Sequence, residues 1–242
     1  MKLYVGQTRD GSLIAELQAL GVGECTNRGE LPPRRLPWFL DNGAYTDFKS
    51  KKPFDLNRWI RDTRHIMYRL ESDEWPVEMA PDFTVVPDLV GGGKDSLDFS
   101  IEHLFRIESL HVPHYLAVQN GMTKSMVRSV LPQFGGVFVG GTLDWKLETM
   151  AMWSDMAHDA GLLCHVGRIG TIPRVEMAKQ AGVDSIDSCQ PLWTRARLGK
   201  FVEAVMGPDG SSPNEASTKT EGPGKAPSRA QSQAEAHPPE GD

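Results

Sequence analysis

Asp41, Asp88, Gln119, the pair Gly140–Gly141, Arg168 and Asp187 each close or directly follow a short β-rich run, in WFLD, FTVVPD, HYLAVQ, VFVGG, LLCHVGR and DSIDS. Three carboxylates, an amide and bare glycine backbone brought to one mouth suit a planar ligand read through hydrogen bonds, such as a nucleobase. Paired carboxylates add acid, base or nucleophile chemistry at a glycosidic carbon. A plainer reading stands beside each one. An aspartate after a strand also serves as a helix N-cap or turn residue, and Asp41 opens DNGAY, whose Asn-Gly is a strong turn signal. LVGGGK after Asp88 is not a phosphate loop, because Asp88 stands where the first Gly belongs and Asp95 where Ser or Thr belongs. Cys164 and His165 are neighbours on one strand and face opposite ways, so they read as a buried thiol beside a satisfied histidine, not as a dyad. Met152 and Met156, four apart on a helix, read as core.

Those residues need a frame that aims the carboxyl ends of many strands at one place. Strands are expected at LYVG, WFLD, FTVVPD, HYLAVQ, VFVGG, LLCHVG and DSIDS, with a weaker one at GECT. Helical segments are expected near 11–20, 56–72, 95–110, 124–133, 146–160, 173–181 and 195–206, several closed by a glycine such as Gly21, Gly161 or Gly182. Seven or eight βα units in about 200 residues predict a compact (β/α)8 barrel, whose chemistry sits at the carboxyl ends of its strands. A doubly wound open sheet is the alternative, but it wants a GxGxxG turn after the first strand and the chain offers QTRDGS.

The 242 residues divide at Gly207. Residues 1–207 carry the barrel. Residues 208–242 hold no aromatic residue and no Ile, Leu or Val, only a polar Pro/Gly/Ser/Ala/Glu-rich stretch expected to be disordered. With 39% hydrophobic and 24% charged residues, the whole is neither wholly disordered, coiled-coil nor collagen-like. No apolar run approaches the roughly 20 residues of a membrane span, and the amino terminus has no leader pattern, so a cytoplasmic protein is expected. Cys25, Cys164 and Cys189 form no CxxC or Cys/His cluster, which leaves no disulfide framework or structural zinc site to expect.

The net charge of -6 falls equally on the two parts, so a nucleic-acid surface must be built locally. Candidate phosphate contacts are Arg34 and Arg35; Lys49, Lys51 and Lys52; Arg58, Arg61 and Arg64 on one helix face; and Arg195, Arg197 and Lys200. An ordinary solvated surface is their bland alternative. Trp193 is placed either to stack on a base or to be buried.

Together these motifs resemble the tRNA-guanine transglycosylase superfamily, most closely its shorter relatives that insert 7-deazaguanines into phage and bacterial DNA. The strongest stretch is VGRIGTIPRVEMAKQAGVDSIDSCQP, residues 166–191, similar to the family's segment in which a Gly-rich turn and short helix precede Gly-Val-Asp and the nucleophilic aspartate. LDNGAY resembles Asp-Ser-Gly-Gly-Phe, LAVQNG resembles Val-Gln-Gly-Gly, and VVPDLV and VFVGG follow in family order, so that residues 38–191 are covered. The resemblance implies Asp187 as nucleophile and Asp41 as general acid/base. It also implies Asp88 on the Watson–Crick edge of the base, Gln119, Gly140 and Gly141 on its carbonyl side, and Asn42, Gly43 and Arg168 in the same pocket. Asn42, Ala44 and Tyr45 replace the family's Ser, Gly and Phe, Asn120 replaces a Gly, and only Cys189 remains where tRNA-modifying members carry three Cys and one His.

What the resemblance implies is a pentosyltransferase acting on DNA, in a phage or bacterial setting and with a role in evading restriction. A free 7-deazaguanine, 7-cyano-7-deazaguanine foremost, is its co-substrate, with no zinc and no other cofactor expected. An accessory protein is a further candidate partner. The alternatives are a tRNA substrate, a metal-dependent or phosphate-binding barrel hydrolase using Asp41, Asp88 and Asp187 as cation ligands, and a non-catalytic nucleic-acid-binding protein.

Overall fold

Alternation of strand and helix along the chain closes on itself. In a computed structural model that describes residues 1–29, 36–104, 106 and 112–207, eight strands form a closed parallel barrel in chain order. They are β1 (Lys2–Gly6), β2 (Gly23–Thr26), β3 (Trp38–Leu40), β4 (Phe83–Val85), β5 (His114–Val118), β6 (Gly136–Val139), β7 (Leu163–Val166) and β8 (Ser185–Ser188). β8 closes against β1 with Lys2 opposite Ser185 and Tyr4 opposite Asp187. The helices are α1 (Gly11–Ala19), α2 (Ala44–Lys49), α3 (Leu56–Glu71), α4 (Gly93–Leu104), α5 (Lys124–Arg128), α6 (Leu143–Asp159), α7 (Ile172–Gln180) and α8 (Arg195–Met206). The (β/α)8 expectation is therefore met, including the weaker strand at GECT. The tail from 208, together with Arg34 and Arg35, lies outside the described residues.

Alternation of side chains on each strand separates two cores. One set faces the helices: Leu3, Val5, Leu116, Val118, Val137, Val139, Cys164, Val166 and Ile186 join the large outer core, where Met156 and half-buried Met152 also pack. The other set fills the barrel with rings. Tyr4, Phe39, Phe83 and Tyr115 form the inner cluster, with Phe138 against it. Phe39 stacks on Phe83 at 4.5 Å and Phe83 on Tyr115 at 4.0 Å between centroids. This aromatic plug makes the interior a packed floor beneath the mouth, not a channel.

The helices start where local chemistry starts them. Asp10 caps α1 by accepting the N–H groups of Ser12 and Leu13, and Asp55, Thr123 and Thr194 cap α3, α5 and α8 in the same way. Gly161 and Gly182 end α6 and α7 in the left-handed region at φ 71°. On α3 the buried Trp59, Thr63, Ile66 and Met67 face the barrel, which leaves Arg58, Arg61 and Arg64 exposed on the other side.

Four expectations differ from the structure. FTVVPD stops pairing at Val85, because Pro87 has no N–H to offer a ladder, so Asp88 stands on a loop three residues past the strand. The segment 124–133 divides into α5 and a short 3-10 turn, Leu131–Gln133, whose Pro132 cannot continue the helix. The segment 95–110 is helical over Gly93–Leu104, and its end lies largely outside the described residues. DNGAY holds more than a turn: Gly43, at φ 76°, opens the six-residue α2.

Candidate active site

Seven of the sequence-selected residues line one small cavity, of about 50 Å³, at the carboxyl end of the barrel: Asp41, Asn42, Asp88, Gln119, Gly140, Gly141 and Arg168. Tyr45, Val85, Val90, Phe138 and Lys146 complete most of the wall.

The floor is a hydrogen-bonded trio built across three strand ends. Asn42, after β3, donates its Nδ2 to the Val86 carbonyl and to Asp88 Oδ1, both at 2.6 Å. Gln119, after β5, donates its Nε2 to Asp88 Oδ2 at 2.5 Å. Each carboxylate oxygen keeps a second lone pair for a ligand N–H. Burial pushes the Asp88 carboxyl up to about 7; the bonds from Asn42 and Gln119 only partly counter this, and nearby Asp41 adds to it. A ligand presenting N–H donors would favour the anion and draw that value down again. Gly140 makes the trio possible, because a Cβ there would stand 2.5 Å from Gln119 Nε2.

Asp41 is half-buried and lines the same cavity. Its Oδ1 accepts the Gly43 N–H at 2.6 Å, and Asn42 Oδ1 accepts the Ala44 N–H at 2.8 Å. The Asn-Gly turn signal is thus satisfied by two successive side-chain turns that start α2 and aim Asp41 at the cavity. Desolvation raises its carboxyl to about 6; the Gly43 bond opposes the shift and the charge of Asp187 reinforces it.

Asp187 adjoins the cavity without lining it. Its Oδ1 accepts the backbone N–H of Arg168 at 3.1 Å and faces His165 Nε2 at 3.1 Å. His165 is fully buried, stacks on Phe138 at 4.9 Å, and places Nδ1 2.8 Å from Ser185 Oγ. Burial holds its pKa below the usual value, although Asp187 pulls it upward. A neutral ring with its proton on Nε2 satisfies both contacts: Ser185 donates to Nδ1, and Nε2 donates to Asp187. His165 is therefore the satisfied core histidine expected from the sequence, and the residue it satisfies is Asp187.

Arg168 and Tyr45 meet at the rim. The Arg168 guanidinium lies 3.4 Å from the Tyr45 ring centroid, with Nη2 3.4 Å from the Gly141 carbonyl. Arg168 holds φ at 59°, a left-handed conformation uncommon outside glycine, and this turn delivers its N–H to Asp187 while its side chain spans the rim.

The remaining cations are distributed unevenly. Helices of a (β/α)8 barrel leave from the mouth, so Arg58 in the first turn of α3 stands near it and Arg64 lies about 9 Å further along the axis. Arg58 and Arg61 both approach Asp62 at 3.9 Å. Arg195 is tied to α1, through Glu16 and through Ser12 Oγ at 2.9 Å. Arg197 and Lys200 line a separate groove with Gly170, Thr171 and Gln190, where Arg197 Nη1 contacts Gln190 Oε1 at 3.0 Å. Trp193 is 63% exposed with the Arg197 guanidinium 4.7 Å from its ring, so it is not the buried aromatic that was one of its two expected placements.

Sequence reasoning missed Lys146 and the contact between His165 and Asp187. Lys146 was legible as a lysine on the buried stripe of α6, in step with Met150, Trp153 and Ala157. The His165 contact needed the β7–β8 register, His165 opposite Ser185, which sets Asp187 two residues further along the neighbouring strand. Asp184, only three residues before Asp187, belongs to the other end of the strand, where its Oδ2 accepts from Cys164 N and meets His158 Nε2, both at 2.8 Å. Among the described residues no group of three His, Cys, Asp or Glu is arranged to hold a metal ion, and no helix is long and apolar enough to cross a membrane. Compared with known proteins, the chain matches no family model and no curated protein.

Proposed function

We propose that the protein exchanges guanine in DNA for a free 7-deazaguanine through a covalent sugar–aspartate intermediate. The observation that carries the proposal is the Asp88–Asn42–Gln119 floor beside Asp41 and Asp187. It combines a hydrogen-bonding surface with the spare acceptors for a guanine N1–H and exocyclic amine, and two further carboxylates of different environment.

Two displacements at one sugar carbon need a nucleophile to hold the sugar between them. An Asp187 oxygen attacks C1′ as the bond from C1′ to N9 breaks, and Asp41 delivers its proton to the departing guanine. The incoming base then returns its N9 proton to Asp41, N9 attacks C1′, and the ester to Asp187 breaks, so the configuration is retained. A carboxyl raised to about 6 suits the alternating acid and base roles of Asp41. Gln119 retains a second N–H for the base carbonyl, and Tyr45 presents an aromatic face at the rim. The target nucleotide must be flipped from the stack or single-stranded, at a cost of about a few kcal/mol in a duplex.

The test is incubation of the protein with guanine-containing DNA and, separately, with tRNA, each with 7-cyano-7-deazaguanine, followed by digestion to nucleosides and mass spectrometry. A deazaguanine nucleoside from DNA alone supports the proposal, and product from tRNA alone transfers the same chemistry to the other nucleic acid. Asp187→Asn is expected to lower exchange by on the order of 10⁴-fold or more while leaving the fold intact. Exchange at the wild-type rate in that variant would overturn the mechanism. Loss of activity in EDTA would point instead to the metal-dependent hydrolase.

A further inference from the structure

Lys146 is only 2% exposed, and it lines both the base cavity and a second, adjoining cavity of about 440 Å³. A lysine buried this far is normally paired with a carboxylate. Among the described residues, the hydrogen-bond acceptor of Lys146 Nζ is the Gly167 carbonyl. An ammonium carries three N–H donors, so two are left for the cavity. Burial and the neighbouring Arg168 hold its pKa down to about 8 against the upward pull of the Asp187 carboxylate, which keeps it predominantly protonated near neutrality.

The order of strands around the mouth says which edge of a base meets Lys146. In a barrel closed in chain order, the circuit around the cavity runs from Asp88 after β4 through Gln119 after β5 and Gly140 and Gly141 after β6 to Asp187 on β8, which adjoins it. Lys146, on the helix after β6 and bonded to Gly167 after β7, falls between Gly141 and Asp187 in that circuit. A guanine skeleton with N1–H and its amine on Asp88 and its carbonyl on Gln119 presents its edges in the same sequence. The 7-position comes after the carbonyl and before the nitrogen that joins the sugar.

Resting on the base-exchange reading above, we infer that Lys146 reads the 7-position and selects an incoming base with a neutral acceptor there, a nitrile, over one with a cationic aminomethyl group. The departing guanine offers N7, also an acceptor, at the same point, so one ammonium serves both bases. The wall carries Asp41 and Asp88 as well as Lys146 and Arg168, so the selection comes from position: an aminomethyl cation placed at the 7-position meets the Lys146 ammonium, and like charges at close range repel.

The experiment is calorimetric titration of guanine, 7-cyano-7-deazaguanine and 7-aminomethyl-7-deazaguanine into the full chain at pH 7, repeated with Lys146→Met and Lys146→Glu, with thermal melts as the control for folding. The wild type is expected to bind the cyano base at least about tenfold more tightly than the aminomethyl base, the Met variant to lose that ratio and the Glu variant to invert it. A wild type that prefers the aminomethyl base, or a folded Met variant that keeps the full ratio, overturns the assignment of Lys146 and leaves base binding standing. A wild type that binds none of the three bases removes the base-binding reading and this inference with it. Lys146→Gln keeps a donor without the charge and takes the place of the Met variant if that one does not fold; its expected result is a gain for the aminomethyl base.

Discussion

His165 Nε2 lies 3.1 Å from Asp187 Oδ1, the same oxygen that accepts the Arg168 N–H, so a fully buried imidazole and a strained backbone turn hold one carboxylate from two sides. If Asp187 is the nucleophile, both contacts act on its orientation and on its negative charge. His165→Phe keeps a ring beside Phe138 while removing the bond. Its expected effect is a fall in kcat of about 10- to 100-fold with KM little changed, the loss of one hydrogen bond to a charged group. Single-turnover exchange measures it, and a rate equal to wild type would show that Asp187 does not depend on the imidazole.

The raised carboxyls of the cavity make a statement about pH. Asp88, at about 7, and Asp41, at about 6, bind protons more tightly folded than unfolded. Their protonated forms therefore favour the folded state most below the unfolded value near 4, and this contribution is lost as pH rises through 6 and 7. Asp88→Asn removes one buried charge, so its melting temperature relative to wild type is expected to improve between pH 5 and pH 8. The gain should reach at least the roughly 2–4 °C that 1 kcal/mol is worth in a domain of this size. A difference that stays constant across that range would argue against a raised Asp88.

The same two groups set the catalytic profile. Asp88 must be ionised to accept N–H groups, and Asp41 must be protonated to release guanine. The pH dependence of kcat/KM for DNA is accordingly expected to be a narrow bell with its maximum between about 6 and 7. Initial rates from pH 5 to 9 test it, and a flat profile would remove Asp41 from the acid role.

Gly140 tests the cavity floor without touching a charged group. Gly140→Ala would bring a methyl group to 2.5 Å from Gln119 Nε2 and so push the amide off Asp88. The expected outcome is a loss of about tenfold or more in base affinity in a folded protein whose melting temperature falls by about 3–10 °C, since one buried charge-assisted hydrogen bond is broken. Unchanged base binding would place the ligand elsewhere.

Arg197 and Arg195 share a helix turn but not a partner, and their variants should behave differently. Arg195 is committed to Glu16 and Ser12 of α1, whereas Arg197 lines the groove with Lys200. Arg197→Ala is expected to weaken DNA binding and to reduce the slope of log K against log salt by about 1, with a smaller change for Arg195→Ala. Fluorescence anisotropy across a salt series reads both.

Periodicity and punctuation in the linear chain were enough to indicate the barrel, because each strand and helix is marked by residues close to one another, such as Asp10 before α1 or Gly182 after α7. The same local logic put Asp41, Gln119, Gly140 and Arg168 at strand ends, since the carboxyl end of a parallel strand in such a fold leads to one mouth. Three relationships belonged to tertiary structure alone. Asp88 is clasped by Asn42 and Gln119, which lie 46 and 31 residues from it in the chain. His165 reaches Asp187 only through the register of two neighbouring strands. Lys146, polar by type, is buried by the packing of α6 and meets the cavity because the barrel brings the Gly167 carbonyl to it. A sequence shows which face of its own element a residue occupies, whereas the partner across the fold is set by closure and register, which arise only when all eight strands are in place.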